Sequence, residues 1–169
     1  MAGCFVHERH AQRFDLPRFA GWWGHDKATR FQMGPEYRPI PGAEGWQLSN
    51  PPILSLAAMR ASLAVFSEAG GMGPLRKKSQ ALTGYLEFLL QTMLAGDIEI
   101  ITPREPSQRG CQLSLRLKAT HGRRLFAKIT AAGVACDWRE PDVIRVAPVP
   151  LYNRFEEVYR FVEILKASF

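Results

Sequence analysis

Hydrophobic and polar positions follow no sustained period over the first fifty residues, then settle into two helical stretches and a series of short alternating ones. Residues 3–8 are apolar enough for one short strand. From about His10 to Asn50 the chain carries Pro17, Pro35, Pro39 and Pro41 among several glycines, which predicts a very long loop. Loops of that length in compact domains are either functional or disordered. Trp22, Trp23, Phe31, Tyr37 and Trp46 argue for function, because disordered segments are poor in aromatic residues. Those rings call for a covering surface, and so does a single strand with no sheet to join.

Asn50, followed by Pro51 and Pro52, reads as the start of a helix running to about Ala69, with the amide side chain as its cap. Its apolar residues fall on nearly every side, which predicts burial between layers, and Gly70-Gly71 ends it. A second helix, from about Pro74 to Ala95, repeats Leu75, Leu82, Leu86, Leu89 and Met93 near helical spacing and stops at Gly96. It is long enough to bridge two domains. Beyond Asp97 the period changes to two: Ile98 and Ile100, then Cys111, Leu113, Leu115 and Leu117, predict two half-buried strands. A helix opened by Thr120 and closed by Gly133 follows, then strands near 134–137 and 143–147. The last helix begins at Asn153, which with Glu156 has the form of a capping box, and Phe155, Val158, Phe161, Val162 and Leu165 form its stripe. This ββαββα order predicts an open α/β sandwich over 97–169, preceded by a helical segment over 53–96 and the loop-rich segment 1–52.

Composition changes this picture little. With 169 residues, 46% of them hydrophobic and 22% charged, the chain suits one globular domain or a small domain with a piece of another. The net charge of +6 is spread evenly, with 10 basic against 7 acidic residues up to Gly96 and 12 against 9 thereafter. The densest cluster, Arg76-Lys77-Lys78, lies in a predicted helix without interleaved aromatics, so a nucleic-acid module is disfavoured. Cys4, Cys111 and Cys136 form no CxxC pair and leave an odd thiol in any disulfide scheme, as suits reduced cysteines in a cytoplasm. The apolar stretch from Ile53 to Phe66 is short and interrupted by Arg60, which argues against a membrane span.

Few residues suggest chemistry on their own. Arg145 interrupts the apolar run around Ile144 and Val146, ahead of Pro148 and Pro150. Either its guanidinium meets an anion, for which the rigid fork suits a carboxylate, or its head reaches water at a strand end. Trp22 and Trp23 lie between glycines and beside His25, and an indole N–H, being only a donor, suits a phosphate oxygen. Asn50 reads as a helix cap, yet a helix start also gathers free N–H groups that favour phosphate. His7, Glu8 and His10 have HExH spacing rather than HExxH, so no metal site is expected.

Three segments, Gly21-Trp22-Trp23-Gly24-His25, Ser49-Asn50-Pro51-Pro52-Ile53-Leu54 and Ile144-Arg145-Val146-Ala147-Pro148-Val149-Pro150-Leu151-Tyr152-Asn153, resemble the C-terminal portion of kynureninase. The likeness runs in order from Ala2-Gly3-Cys4-Phe5-Val6-His7-Glu8 through Leu75-Arg76-Lys77-Lys78-Ser79, Leu82-Thr83-Gly84-Tyr85-Leu86-Glu87 and Arg109-Gly110-Cys111-Gln112-Leu113 to the last helix. That family depends on pyridoxal 5'-phosphate (PLP) and has the aminotransferase-like fold type I. The resemblance therefore implies a C-terminal α/β sandwich small domain plus a remnant of the PLP-dependent transferase large domain. It implies cleavage of L-kynurenine, or of 3-hydroxykynurenine, to an anthranilate and L-alanine by a cytoplasmic homodimer, with neither nucleic acid nor membrane as partner.

By the same resemblance, Trp22 and Asn50 contact the cofactor. Arg145 holds the substrate carboxylate, Trp23 and His25 border its aryl ring, and Ser49 assists. The family's PLP-bearing lysine lies in a Tyr-Lys-Tyr context ahead of the segment matching Ala2-Gly3. None of Lys27, Lys77, Lys78, Lys118, Lys128 and Lys166 has that context. The expectation is a fragment that carries no catalytic residue of its own and is inactive alone. A noncatalytic interaction domain left by truncation is the alternative.

Overall fold

The computed structural model describes residues 3–118 and 122–169, so the expected helix start at Thr120, and His121 with it, lie outside the described residues. By the clustering of its contacts the chain divides into two compact units, Met1–Leu63 and Ala64–Phe169.

The first unit holds no strand among its described residues. The short strand expected at residues 3–8 is replaced by extended chain and a 3-10 turn at Glu8–His10. Among the described residues no strand pairs its backbone, and the local N–H groups bond back along the chain instead, His10 N–H to the His7 carbonyl and Ala11 N–H to that of Glu8. Two further 3-10 turns, Trp22–Gly24 and Ala43–Trp46, pack against each other and give the long loop a definite shape. Helix α1, Ile53–Glu68, spans the division between the units. It begins three residues after Asn50, so Asn50 is not its cap. The predicted burial of α1 is not found either: none of its residues is buried, because no neighbouring layer surrounds its apolar sides.

α1 closes through Gly70, whose φ of 85° is in the left-handed region; Gly70 N–H bonds the Ser67 carbonyl and Gly71 N–H that of Phe66. Helix α2, Met72–Met93, follows, and its Leu82, Leu86, Leu89 and Leu90 enter the core of the second unit. The remaining elements are β1 (Ile98–Ile100), β2 (Leu113–Leu117), α3 (Gly122–Ala131), β3 (Asp137–Arg139), β4 (Val143–Val146) and α4 (Phe155–Ser168). The four strands form one antiparallel sheet in the order β1-β2-β4-β3. This is the expected α/β arrangement, with β3 three residues later than the sequence pattern suggests. The shift follows from Gly133, which ends α3 in a left-handed turn, and from Val134, whose N–H closes that turn on the Ile129 carbonyl instead of joining the sheet.

Register sorts the two faces of the sheet. Ile98, Leu113, Leu115, Leu117, Ile144 and Val146 point inward and pack with α2, α3 and α4 in one apolar cluster. The opposite face carries two cross-strand rows, Glu99–Arg116–Val143–Arg139 and Ser114–Arg145–Asp137. At the edge of the core Glu87 on α2 accepts from Arg109 Nη1 at 2.7 Å, and both side chains are nearly buried. No single helix among the described residues is long and apolar enough to cross a membrane.

Candidate functional site

The tryptophan pair is positioned by backbone contact. A Cβ on Gly21 would lie 2.1 Å from the Leu48 Cα, and one on Gly24 would lie 2.9 Å from the carbonyl oxygens of Gly45 and Gln47. Only glycine fits at either end of the turn, and Trp22 and Trp23 are held between them. Trp22 packs edge-on against Trp23 and Phe31, with ring centroids 5.5 and 5.6 Å apart, and remains 45% exposed. Its indole N–H meets no acceptor among the described residues, which leaves it able to donate to an external anion. Trp23 is half-buried beneath the Arg30 guanidinium, 4.7 Å above its ring, and Arg30 Nη2 also donates to the Trp23 and His25 carbonyls at 2.8 and 3.1 Å.

Both ring nitrogens of His25 are engaged. Nδ1 accepts from Arg38 N–H at 3.4 Å, so the neutral ring carries its proton on Nε2 and donates it to Thr29 Oγ1 at 3.1 Å. Thr29 passes its own hydroxyl proton to Asp26 at 3.0 Å. Asp26 also accepts from Ala28 N–H, and that backbone bond leads the causes that lower its pKa below the ordinary value. His25 is thus an orienting ring stacked edge-on to Tyr37, at 5.6 Å between centroids. Ser49 and Asn50 are exposed in the same unit, and the Ser49 carbonyl accepts from Gln47 Nε2 at 3.1 Å.

Arg145 belongs to the second unit. The pleat places it on the polar face of the sheet, with its side chain 32% exposed, so the arginine inside an apolar run is not buried. Its anion is Asp137, directly across β3: Nε donates to Oδ1 at 2.8 Å and Nη2 to Oδ2. Arg139 Nη2 also donates to Asp137 Oδ2, at 3.1 Å. The Arg145 hydrogen bond chiefly lowers the Asp137 pKa and, reciprocally, raises that of Arg145. Sequence reasoning missed Asp137. The signal was present, because strands paired around a turn centred on Pro141 bring 137 opposite 145.

Trp22, Trp23, His25, Ser49 and Asn50 therefore share one unit and Arg145 stands in the other. No group of three or more His, Cys, Asp or Glu side chains among the described residues could hold a metal ion. His7 Nδ1 accepts from Arg9 N–H, and Arg9 Nε donates to His10 Nε2.

Comparison with known proteins supplies the family. Residues 75–165 match the model of the kynureninase C-terminal domain. The chain is 61% identical to a kynureninase of Koribacter versatilis (strain Ellin345) over 99% of this chain and 39% of the relative. It is 60% identical to one of Myxococcus xanthus (strain DK1622) over 98% of this chain and 38% of the relative. It spans about 40% of the length of these curated relatives. Among solved structures, the cystine C-S lyase C-DES in complex with its reaction product cysteine persulfide superposes with a TM-score of 0.66 at 16% identity, over 89% of this chain and 38% of that one. A NifS-like protein gives 0.51 at 20% identity, over 85% and 37%. These two show a shared fold.

Proposed function

The chain belongs to the kynureninase family, and from that premise we propose that it forms the C-terminal part of a PLP-dependent enzyme that hydrolyses L-kynurenine or 3-hydroxykynurenine to an anthranilate and L-alanine. The observation that carries this reading is the identity of about 60% to kynureninases along nearly the whole chain. PLP, when bound, supplies the electron sink for cleavage of the Cβ–Cγ bond. The chain supplies orientation. Trp22, with its indole N–H unclaimed, donates to the cofactor phosphate, and the exposed Asn50 amide assists. Trp23 and His25 border the aryl ring, and Ser49 assists through its hydroxyl. Arg145 receives the α-carboxylate. The lysine that bears PLP belongs to polypeptide outside these 169 residues, since no lysine here stands in a Tyr-Lys-Tyr context. In the full enzyme the reading extends to a cytoplasmic homodimer that serves tryptophan degradation.

The test is to express the chain as part of a polypeptide that carries the PLP-bearing region and to follow anthranilate fluorescence with L-kynurenine. Release of anthranilate that requires PLP is expected. Arg145→Ala should lower kcat/KM by roughly 10- to 100-fold, the worth of a charge-assisted hydrogen-bond pair in a partly solvated site. Cofactor affinity should be unchanged. A folded, PLP-loaded polypeptide that releases no anthranilate would overturn the enzymatic reading in favour of a noncatalytic interaction domain.

A further inference from the structure

The Arg145–Asp137 pair uses only half of what the guanidinium offers. Asp137 occupies the side-on edge, Nε and one N–H of Nη2. Nη1 and the second N–H of Nη2 have no partner among the described residues. Those two groups form the end-on edge, which can take a second carboxylate with two parallel hydrogen bonds. The surroundings favour an incoming anion. Asp137 carries one negative charge against two guanidinium groups, since Arg139 also donates to Oδ2, so the cluster of three side chains keeps a net charge of +1. The cross-strand register fixes the backbone of Asp137 opposite that of Arg145, which keeps the carboxylate within reach of the arginine it holds. Its lowered pKa keeps it ionised at neutral pH.

We propose that Asp137 is a positioning residue: it locks the side-on edge of Arg145 so that the end-on edge is presented, already oriented, to the carboxylate of an amino-acid substrate. This rests on the reading of Arg145 as the carboxylate receptor. A free arginine has several rotatable bonds to immobilise on binding, and Asp137 immobilises them before the substrate arrives. The opposite role, a carboxylate that must be displaced by the substrate, would require Asp137 to leave both of its arginines.

The test compares Asp137→Asn, Asp137→Glu, Arg139→Ala and Arg145→Ala in the PLP-loaded polypeptide that contains this chain. Binding of L-alanine is followed by the cofactor absorbance, and turnover by L-kynurenine kinetics. Asp137→Asn should raise the L-alanine Kd and the kynurenine KM by about 10-fold, with kcat within about twofold, because the substrate must then immobilise an Arg145 that Asp137 no longer holds. Asp137→Glu should recover part of the loss, and Arg139→Ala should weaken binding less than Asp137→Asn. In the 169-residue chain itself, the Arg145 Nε–H should exchange with solvent faster in Asp137→Asn than in the native protein. A lower KM in Asp137→Asn would show that Asp137 competes with substrate and would overturn the proposal. So would unchanged L-alanine binding in Asp137→Asn beside weakened binding in Arg145→Ala. Unchanged binding in Arg145→Ala would remove the reading of Arg145 on which the proposal rests.

Discussion

Cys136 lies next to Asp137 in the chain, and burial followed by that negative charge raises its thiol pKa to about 11. At pH 8 the thiolate is then only about one part in a thousand, and the thiolate is the reactive form. Cys4, which is exposed, should therefore be alkylated by iodoacetamide well before Cys136 in the native protein. Equal labelling of the two by peptide mass mapping would show that the thiol is not held protonated. The sign of the pH effect follows. A folded-state pKa above the ordinary 9.0 contributes stability below pH 9 that is lost as pH rises through about 11. Asp137 behaves oppositely, since its pKa is lowered from 3.8: the pair with Arg145 persists above that value and is lost only as pH falls below it. At this scale the sequence was informative about residue type and less so about partner. The unusual arginine at 145 stood out because a charge among Val and Ile is conspicuous. Asp137 did not, because its meaning depends on which strand lies beside it, a non-local fact.

Elements were more legible than their ends. The period of 3.6 in α2 and α4 and the alternation in β1 and β2 follow directly from one buried side per element, and Gly70 and Gly133 stop their helices in left-handed turns as expected. The caps were harder, because several neighbouring polar residues could serve and geometry selects among them. Glu157, not Glu156, accepts from the Arg154 N–H at the start of α4, at 2.8 Å. Asn153 sits one residue earlier, bridging Val149 N–H and Glu157. Glu157→Ala should cost about 1 kcal/mol, the usual worth of a helix cap, and lower the thermal midpoint, whereas Glu156→Ala should have little effect. Comparable losses in the two variants would contradict the assigned cap. α1 shows the other way in which an element can mislead. Its all-round apolar composition correctly marked a helix, but burial depends on neighbours, and within this chain its sides stay exposed.

The distribution of buried side chains sets the stability of the whole molecule. Every buried apolar residue among the described ones lies between Leu75 and Leu165, and the central cluster ties α2, the sheet, α3 and α4 together. Met1–Leu63 contains no buried apolar side chain among its described residues, while Phe5, Phe14, Phe19, Phe31, Leu54 and Leu63 are exposed. Its order comes instead from close backbone approach at Gly21 and Gly24, cation–π contacts and hydrogen bonds at Asp26 and Arg30. Such contacts lie near water and open at low cost, whereas amides beneath a packed core open only when the core does. Hydrogen exchange on this chain should therefore be slowest in β2, β4, α2 and α4, and faster by at least roughly tenfold across residues 10–50. The buried Glu87–Arg109 pair gives this hierarchy an internal check. Arg109→Ala leaves the nearly buried Glu87 carboxylate with the exposed Arg104 at 3.1 Å and the Gln91 amide at 3.3 Å but without its buried guanidinium, a loss of about 1–3 kcal/mol for one charge-assisted hydrogen bond. That loss should speed exchange throughout the slow set together, because α2 and the sheet share one core, while leaving the exchange of residues 10–50 as it was. Equal protection in residues 10–50 and in β4 of the native chain, or acceleration by Arg109→Ala confined to the loop around residue 109, would mean that the core does not govern the cooperative unit.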